Sequence, residues 1–318
     1  MNTYSPHDLP TAPAPHRDGR PRALPEHGLD EFITAAVDAP AVAPGNPSWS
    51  QRVTATKIPA IFGADPYGGT PFTMWHLLAG TVEPEVKKGA ILRRGLHLEG
   101  GIADWWLDDH PGYLMADTRS WQSKAYPWAY ATPDRILADQ DTGEISLLEV
   151  KTARTLDDWG VPGTDQIPGH YWLQVAWQAI VLGVQTVHVT VLGPWLERQD
   201  YVIRFDSFEL GSVLETVQDF VDSLPTGDDP GTPPMAENPL QDWKTLLAVT
   251  PVIRSQADVS ALYPAYRDAK IAGRESGKVA DEAQAVIKAA GADAEELVAD
   301  GKVVATRSGA GFRFKPVK

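Results

Sequence analysis

The chain has 318 residues, of which 43% are hydrophobic and 22% charged, with a formal net charge of −14 and no cysteine. This composition is ordinary for a soluble protein, and the length suits one large domain or two smaller ones. The lack of cysteine excludes disulfides, iron–sulfur clusters and thiolate zinc sites, no apolar run is long enough to predict a membrane span, and the acidic charge taken alone argues against a nucleic-acid partner.

Segments rich in Pro, Ala and Gly predict the domain boundaries of the chain. Residues 1–48 are rich in Pro and Ala without periodicity, so we expect a disordered tail with one short helix near 29–37 and no secretory signal. The Pro/Gly-rich segment 226–240 predicts a linker between a main domain, 49–225, and a C-terminal accessory region, 241–318. That region is expected to be small and partly helical, with a terminal hairpin.

The main domain is predicted to alternate helices with strands. Thr70 and Pro71 are typical of a helix start. A helix over 93–112 is expected to bury a stripe that includes Leu96 and Trp106. A hairpin turning at "QDTGE" is followed by a helix over 170–184, strands at 186–193 and 200–206, and a helix over 207–224. These elements predict an α/β fold with a mixed central sheet flanked by helices.

An unusual strand, "ISLLEVKTA", ends in two opposite charges. Glu149 and Lys151 are two residues apart and therefore share one face of the strand. Asp134 follows Pro133 in the strand that the turn should pair with this one, so Asp134 and Glu149 could hold one divalent cation through carboxylate oxygens. Lys151 could orient a water or balance charge on a phosphate. A solvated ion pair and a turn aspartate are the alternatives.

Together, these residues resemble the PD-(D/E)xK nuclease signature, and the wider chain resembles the YqaJ-like viral recombinase family, relatives of the phage lambda exonuclease. Three further stretches, over about residues 50–225, carry the resemblance. They supply Gly95 with Glu99, Tyr171 with Gln174, and Thr56 with Gly63 and Trp75. The chain departs from the family pattern at Ala176, where a second Gln is usual, and at Thr56-Lys57, where Ser-Asp is more usual.

The resemblance implies a restriction-endonuclease-like core and a role for each matching residue. Glu99, Asp134 and Glu149 would hold Mg²⁺ or Mn²⁺, two ions per site, with Lys151 at the attacking water and Gln174 supporting the site. DNA contacts would come from Arg52, Thr56 and Tyr171, and the adjacent basic residues Arg93 and Arg94, which match no family motif, are further candidates for contacts to backbone phosphates. The alternatives are a capping role for Gln174, packing for Tyr171 and a solvated helix start for the arginine pair.

The function implied by this resemblance is 5′-to-3′ digestion of linear double-stranded DNA, which leaves 3′ single-stranded tails for recombination. The implied assembly is a trimeric ring, with a single-strand annealing protein as partner and no membrane. The expected location is the cytoplasm of a bacterial host, encoded by a phage or prophage. Another PD-(D/E)xK endonuclease, or a non-catalytic protein that binds DNA ends on this fold, are the alternatives.

Overall fold

The computed structural model describes residues 29–41, 47–84, 90–273 and 277–317. The helices are α1 (Leu29–Phe32), α2 (Pro47–Ser50), α3 (Ile58–Ile61), α4 (Pro71–Leu78), α5 (Ala90–Asp109), α6 (Gly169–Leu182), α7 (Ser207–Asp222), α8 (Pro239–Val249), α9 (Tyr263–Ile271) and α10 (Gly277–Ala290), with a 3₁₀ helix at Ala55–Lys57. The strands are β1 (Ala36–Asp38), β2 (Val53–Thr54), β3 (Tyr113–Asp117), β4 (Trp121–Ser123), β5 (Ala129–Ala131), β6 (Arg135–Asp139), β7 (Ile145–Thr152), β8 (Thr186–Leu192), β9 (Arg198–Arg204), β10 (Arg254–Asp258), β11 (Ala294–Ala299), β12 (Lys302–Ser308) and β13 (Gly311–Phe314).

The described residues divide into two compact units. Residues 29–59 and 90–221 lie in the first unit, and residues 60–84 and 222–317 lie in the second. This division differs from the predicted one, which placed 60–84 in the main domain. The reason is local: the Thr70 hydroxyl donates to the buried Asp242, and Trp75 Nε1 donates to the Ser223 carbonyl at 3.1 Å.

A five-stranded mixed sheet in the order β3-β6-β7-β8-β9 forms the centre of the first unit. The predicted hairpin is confirmed, because β6 and β7 pair antiparallel around the "QDTGE" turn. β7 and β8 run parallel, and α6 is the crossover that a parallel pair requires. β8 is buried along its whole length and β7 over its first six residues, as expected for strands covered on both faces, although β8 alternates polar with apolar residues.

The alternation of β7 separates the two faces of this sheet. Leu148 and Val150 pack with Trp106 and Ile102 of α5, whereas Glu149 bonds to the α6 side chain of Gln174. Helices therefore cover both faces, and the expected α/β class is confirmed. The predicted buried stripe of α5 is wrong at Leu96, whose side chain is 73% exposed; the helix turns its later residues toward the sheet instead.

The N-terminal segment is more ordered than its composition suggests. β1 pairs antiparallel with β4 in a second sheet of the first unit, β1-β4-β5-β2. Leu29, Phe32 and Ile33 are buried. The prediction of a disordered tail to residue 48 is therefore wrong over 29–41, where a few apolar side chains stabilise the segment. Residues 1–28 lie outside the described residues.

The second unit contains a four-stranded sheet in the order β10-β11-β12-β13. The hairpin predicted near the C-terminus is confirmed as β12 and β13. The description "partly helical" is incomplete, since β10 and β11 form a parallel pair with α9 and α10 between them. Leu247, Ile287 and Leu297 belong to a core of this unit's own.

Within the described ranges, no helix is both long and apolar enough to cross a membrane.

Candidate active site

The candidate site lies at the open end of the β6–β7 hairpin, away from the "QDTGE" turn, on the face of the sheet that α6 covers. Glu149 is 3% exposed and contributes its carboxylate from β7. Its Oε1 accepts hydrogen bonds from Lys151 Nζ and, at 2.6 Å, from Gln174 Nε2. Gln174 Oε1 in turn accepts from Lys151 Nζ at 3.1 Å. The predicted Glu149, Lys151 and Gln174 are thus in direct contact, not solvated separately.

Asp134 is joined to the same hairpin through the backbone. Its Oδ2 accepts a hydrogen bond from the Val150 N–H at 2.7 Å, which places the carboxyl beside the end of β7. Burial, and then the negative charge of Glu149, raise the pKa of Asp134 well above its usual value, although Lys151 opposes this shift. Two carboxylates close enough to repel each other suit a cation between them.

Glu99 is held differently from the other two predicted metal ligands. Its Oε1 accepts from Arg135 Nη1 at 2.8 Å, and Arg135 also donates to the Asp134 carbonyl at 2.6 Å. Arg135 Nε lies 3.0 Å from the carboxylate of Asp117. Glu99 therefore reaches the site through an arginine that the sequence reasoning did not single out.

The predicted set of three metal-binding carboxylates, Glu99, Asp134 and Glu149, stays a prediction. In the described part of the chain, no group of three or more His, Asp or Glu side chains is placed to hold a metal ion. The Glu99 carboxylate is paired with the Arg135 guanidinium. Asp134 and Glu149 are the pair whose chemistry fits a divalent cation, since carboxylate oxygens are its preferred donors.

A second glutamine completes the polar cluster. Gln178 is fully buried on α6, and its Nε2 donates to Glu149 Oε2 at 2.7 Å. The family pattern places a second glutamine two residues after Gln174, at Ala176, and therefore does not predict Gln178. The spacing of the two glutamines could have predicted it, because positions four apart lie on one face of a helix and Gln174 and Gln178 therefore point the same way.

An aromatic group adjoins Lys151. The Tyr171 ring centroid is 5.0 Å from Lys151 Nζ, and the ring packs against Trp159 with centroids 5.5 Å apart. Tyr171 therefore both packs and contacts the ammonium group through its ring face. Its DNA contact stays a prediction.

The predicted DNA-binding residues at the N-terminal side are dispersed. Arg52 donates to the Pro40 carbonyl at 2.9 Å and lies over the Tyr130 ring. Thr56 is exposed on the 3₁₀ helix, against which α6 packs. Arg93 and Arg94 are exposed early in α5. These contacts to DNA likewise stay predictions.

Lys57 explains one departure from the family pattern. It is buried, and its ammonium group donates to the carbonyls of Trp49, Ser50 and Arg52 at 2.5, 3.0 and 2.5 Å. Burial, and then the positive charge of Arg52, lower its pKa to about 7. Lys57 thus stabilises the backbone of residues 49–52, which precede Thr56.

Comparisons with known proteins agree with the motifs. Residues 49–185 match the model of the YqaJ-like viral recombinase domain. This match confirms, over that range, the family resemblance drawn from the sequence. No curated protein matches the chain significantly.

Several solved structures resemble part of the chain. An alkaline exonuclease from Laribacter hongkongensis has a TM-score of 0.43 at 18% identity, over 55% of this chain and 88% of that one. The same exonuclease in complex with dAMP has a TM-score of 0.42 at 16% identity, over 56% and 89%. A phage-related exonuclease from Haemophilus somnus has a TM-score of 0.36 at 8% identity, over 53% and 91%.

Proposed function

We propose that this chain is a divalent-metal-dependent exonuclease that digests linear double-stranded DNA from the 5′ end and leaves 3′ single-stranded tails for recombination. The observation that carries the proposal is the contact of Lys151 with Glu149 and Gln174 beside the half-buried Asp134. The family match over residues 49–185 supports it. The direction of digestion rests on the family resemblance.

Asp134 and Glu149 are the residues that would hold the cation. When bound, Mg²⁺ or Mn²⁺ would stabilise charge on the phosphate and lower the pKa of the attacking water. We infer that Glu99 contributes to a second ion only after its carboxylate leaves Arg135. The two-ion site is therefore part of the proposal.

Lys151 is the residue we assign to the reacting phosphate. Its ammonium group has three N–H donors, and Glu149 and Gln174 accept hydrogen bonds from it. It can present a remaining donor to a water or a phosphate oxygen, where a preorganised positive charge stabilises charge that develops during cleavage. Gln174 keeps both Lys151 and Glu149 in place, because its amide bonds to each.

The deciding experiment uses a linear duplex labelled at the 5′ or the 3′ end, with a closed circle in parallel. Wild type with Mg²⁺ should release the 5′ label first and leave the circle intact, and chelator should abolish cleavage. Lys151→Met should lose about 10²–10³-fold in rate, whereas the exposed control Lys302→Met should keep the wild-type rate. Cutting of the circle would favour an endonuclease, and no cleavage at all would favour a DNA-end-binding protein.

The same proposal extends to partners and place. By family resemblance, we expect DNA ends as substrate, a trimeric ring as the assembly, a single-strand annealing protein as partner, and the cytoplasm of a bacterial host as the location. Co-purification of this chain with a single-strand annealing protein would test the partner.

A further inference from the structure

Gln178 is a polar side chain in the interior of the protein. It is 0% exposed on α6, one turn after Gln174. Burying an amide costs free energy unless its donors and acceptors find partners. Its neighbours in sequence, Trp177 and Ala179, are fully buried apolar residues, so an apolar side chain at this position would suit the helix.

The amide group of Gln178 is directed at one oxygen of the site. Its Nε2 donates to Glu149 Oε2 at 2.7 Å, while Gln174 and Lys151 both donate to the other oxygen, Oε1. The two glutamines and the lysine therefore fix both ends of the carboxylate. Without Gln178, no described hydrogen-bond donor would remain on Oε2, and the carboxylate could turn about its final bond.

The other end of the Gln178 amide argues against a purely structural role. Its Oε1 is buried and has no hydrogen-bond partner among the described residues. A buried amide that satisfies only one of its two ends contributes little to stability, since the unpaired end costs about as much as a hydrogen bond contributes. Unsatisfied buried groups in folded proteins call for an explanation, and functional sites supply one.

We propose that Gln178 is a positioning residue that fixes the orientation of the Glu149 carboxylate for binding a divalent cation. The inference rests on the metal requirement in the proposed function. Residues that hydrogen-bond to metal ligands change metal affinity by about 10–100-fold when they are removed. Gln178 thus acts through Glu149 and is not assigned any contact with DNA.

The test compares two variants that each lose one hydrogen bond from a fully buried side chain to a carboxylate. Gln178→Met keeps the length of the side chain and removes the amide. Thr190→Val is the matched control, because Thr190 is 0% exposed on β8 and its hydroxyl donates to Asp200 at 2.7 Å, on the opposite face of the sheet. Mn²⁺ binding is measured by calorimetry without DNA, and cleavage is measured against Mg²⁺ concentration.

We expect Gln178→Met to weaken Mn²⁺ binding about tenfold or more and to raise the Mg²⁺ concentration for half-maximal cleavage by a similar factor. The maximal rate at saturating Mg²⁺ should recover toward that of wild type. Thr190→Val should match wild type in both titrations. A positioning role predicts this split, which a general loss of stability would not produce.

Three results would overturn the inference: wild-type Mn²⁺ affinity in folded Gln178→Met, an equal loss in Thr190→Val, or no Mn²⁺ binding by wild type. Failure of the proposed function is a separate outcome. Wild type that binds Mn²⁺ and loses affinity in Gln178→Met, yet cleaves no DNA, would contradict the exonuclease proposal and leave the role of Gln178 intact.

Discussion

Glu149 and Glu99 are both acidic and both match the family motif, but their surroundings differ. The Glu149 side chain is 4% exposed and accepts from three side chains, whereas that of Glu99 is 29% exposed and pairs with Arg135. Exchanging the Glu149 carboxylate for an amide places an NH₂ group where the neighbouring side chains donate hydrogen bonds. It also removes the ion pair of Lys151. The same exchange at Glu99 disturbs one partly exposed pair.

We therefore predict that Glu149→Gln abolishes cleavage, with a loss of about 10³-fold or more, while Glu99→Gln costs about 10–100-fold. Initial rates on end-labelled duplex at saturating Mg²⁺ measure the difference, and thermal melts confirm that both variants fold. Equal losses in the two variants would contradict this ranking and give Glu99 the same weight in cation binding as Glu149.

His188 gives the stability of the first unit a specific pH dependence. It is buried on β8 against Trp106 and Tyr113, and burial, with the charges of His110 and Arg204, lowers its pKa to about 4. The unfolded chain binds this proton near pH 6.5. Stability is therefore full above pH 6.5, falls as the pH drops, and levels off below 4, a loss of about 3 kcal/mol.

Urea unfolding between pH 7 and 4.5 measures that loss. His188→Phe removes the titrating group while keeping a ring among the aromatic neighbours, so its stability should fall less steeply than that of wild type over this range. His97→Gln is the control, because His97 is exposed on α5. A wild-type slope in His188→Phe would show that other groups carry the acid sensitivity.

At the residue scale, sequence reasoning identified the contacts that depend on strand alternation. Glu149 and Lys151 share a face because the period of a strand is two. It could not identify Arg135 as the partner of Glu99, since that contact joins residues 36 apart in sequence. Leu96 was misjudged because a helix pattern alone does not say which turns of a long helix lie over the sheet.

At the element scale, the end of α6 shows how one glycine fixes a junction. Gly183 follows the helix with φ of +71°, and a Cβ there would lie 2.5 Å from the Cβ of Ala35. Gly183→Ala should destabilise the protein by about 1–3 kcal/mol, from the left-handed backbone and the overpacking together. The buried apolar contacts of the N-terminal segment should loosen with it.

Gly211→Ala is the matched control for this substitution. Gly211 lies inside α7, and a Cβ there meets nothing within 4 Å. Alanine in a helix interior stabilises by about 0.5–1 kcal/mol relative to glycine, so the two alanine variants should shift the unfolding midpoint in opposite directions. An unfolding midpoint of Gly183→Ala at or above that of wild type would contradict both the backbone strain and the close approach of Ala35.

Elements with strong periodicity were predictable, and weakly patterned ones were not. The β6–β7 hairpin, α6, β8 and α7 have clear apolar spacing and matched expectation. β10, with the sequence "RSQAD", has four exposed residues of five and no strand signal of its own. Its position depends on pairing with β11, which lies some 40 residues later in the chain, and such distant pairing is invisible to local patterns.

At the scale of the whole molecule, the net charge of −14 must be reconciled with the proposed DNA substrate. Phosphates repel an acidic surface, and affinity for DNA comes largely from local Lys and Arg contacts that release counterions. A ring of several copies could gather basic groups in its channel while its outer surface stays acidic. If the protein binds DNA tightly despite its net negative charge, that charge favours a ring of several copies over a single chain.

We predict that the 34.6 kDa chain assembles into a species of three times that mass, as light scattering during size-exclusion chromatography would show. Because a ring surrounds its duplex, digestion of a long linear duplex should be processive once begun, and a large excess of unlabelled duplex added after initiation should leave the first round of cleavage unchanged. A monomeric mass together with immediate inhibition by that excess would contradict the ring. A monomer that still digests processively would mean that a single chain surrounds the duplex by itself.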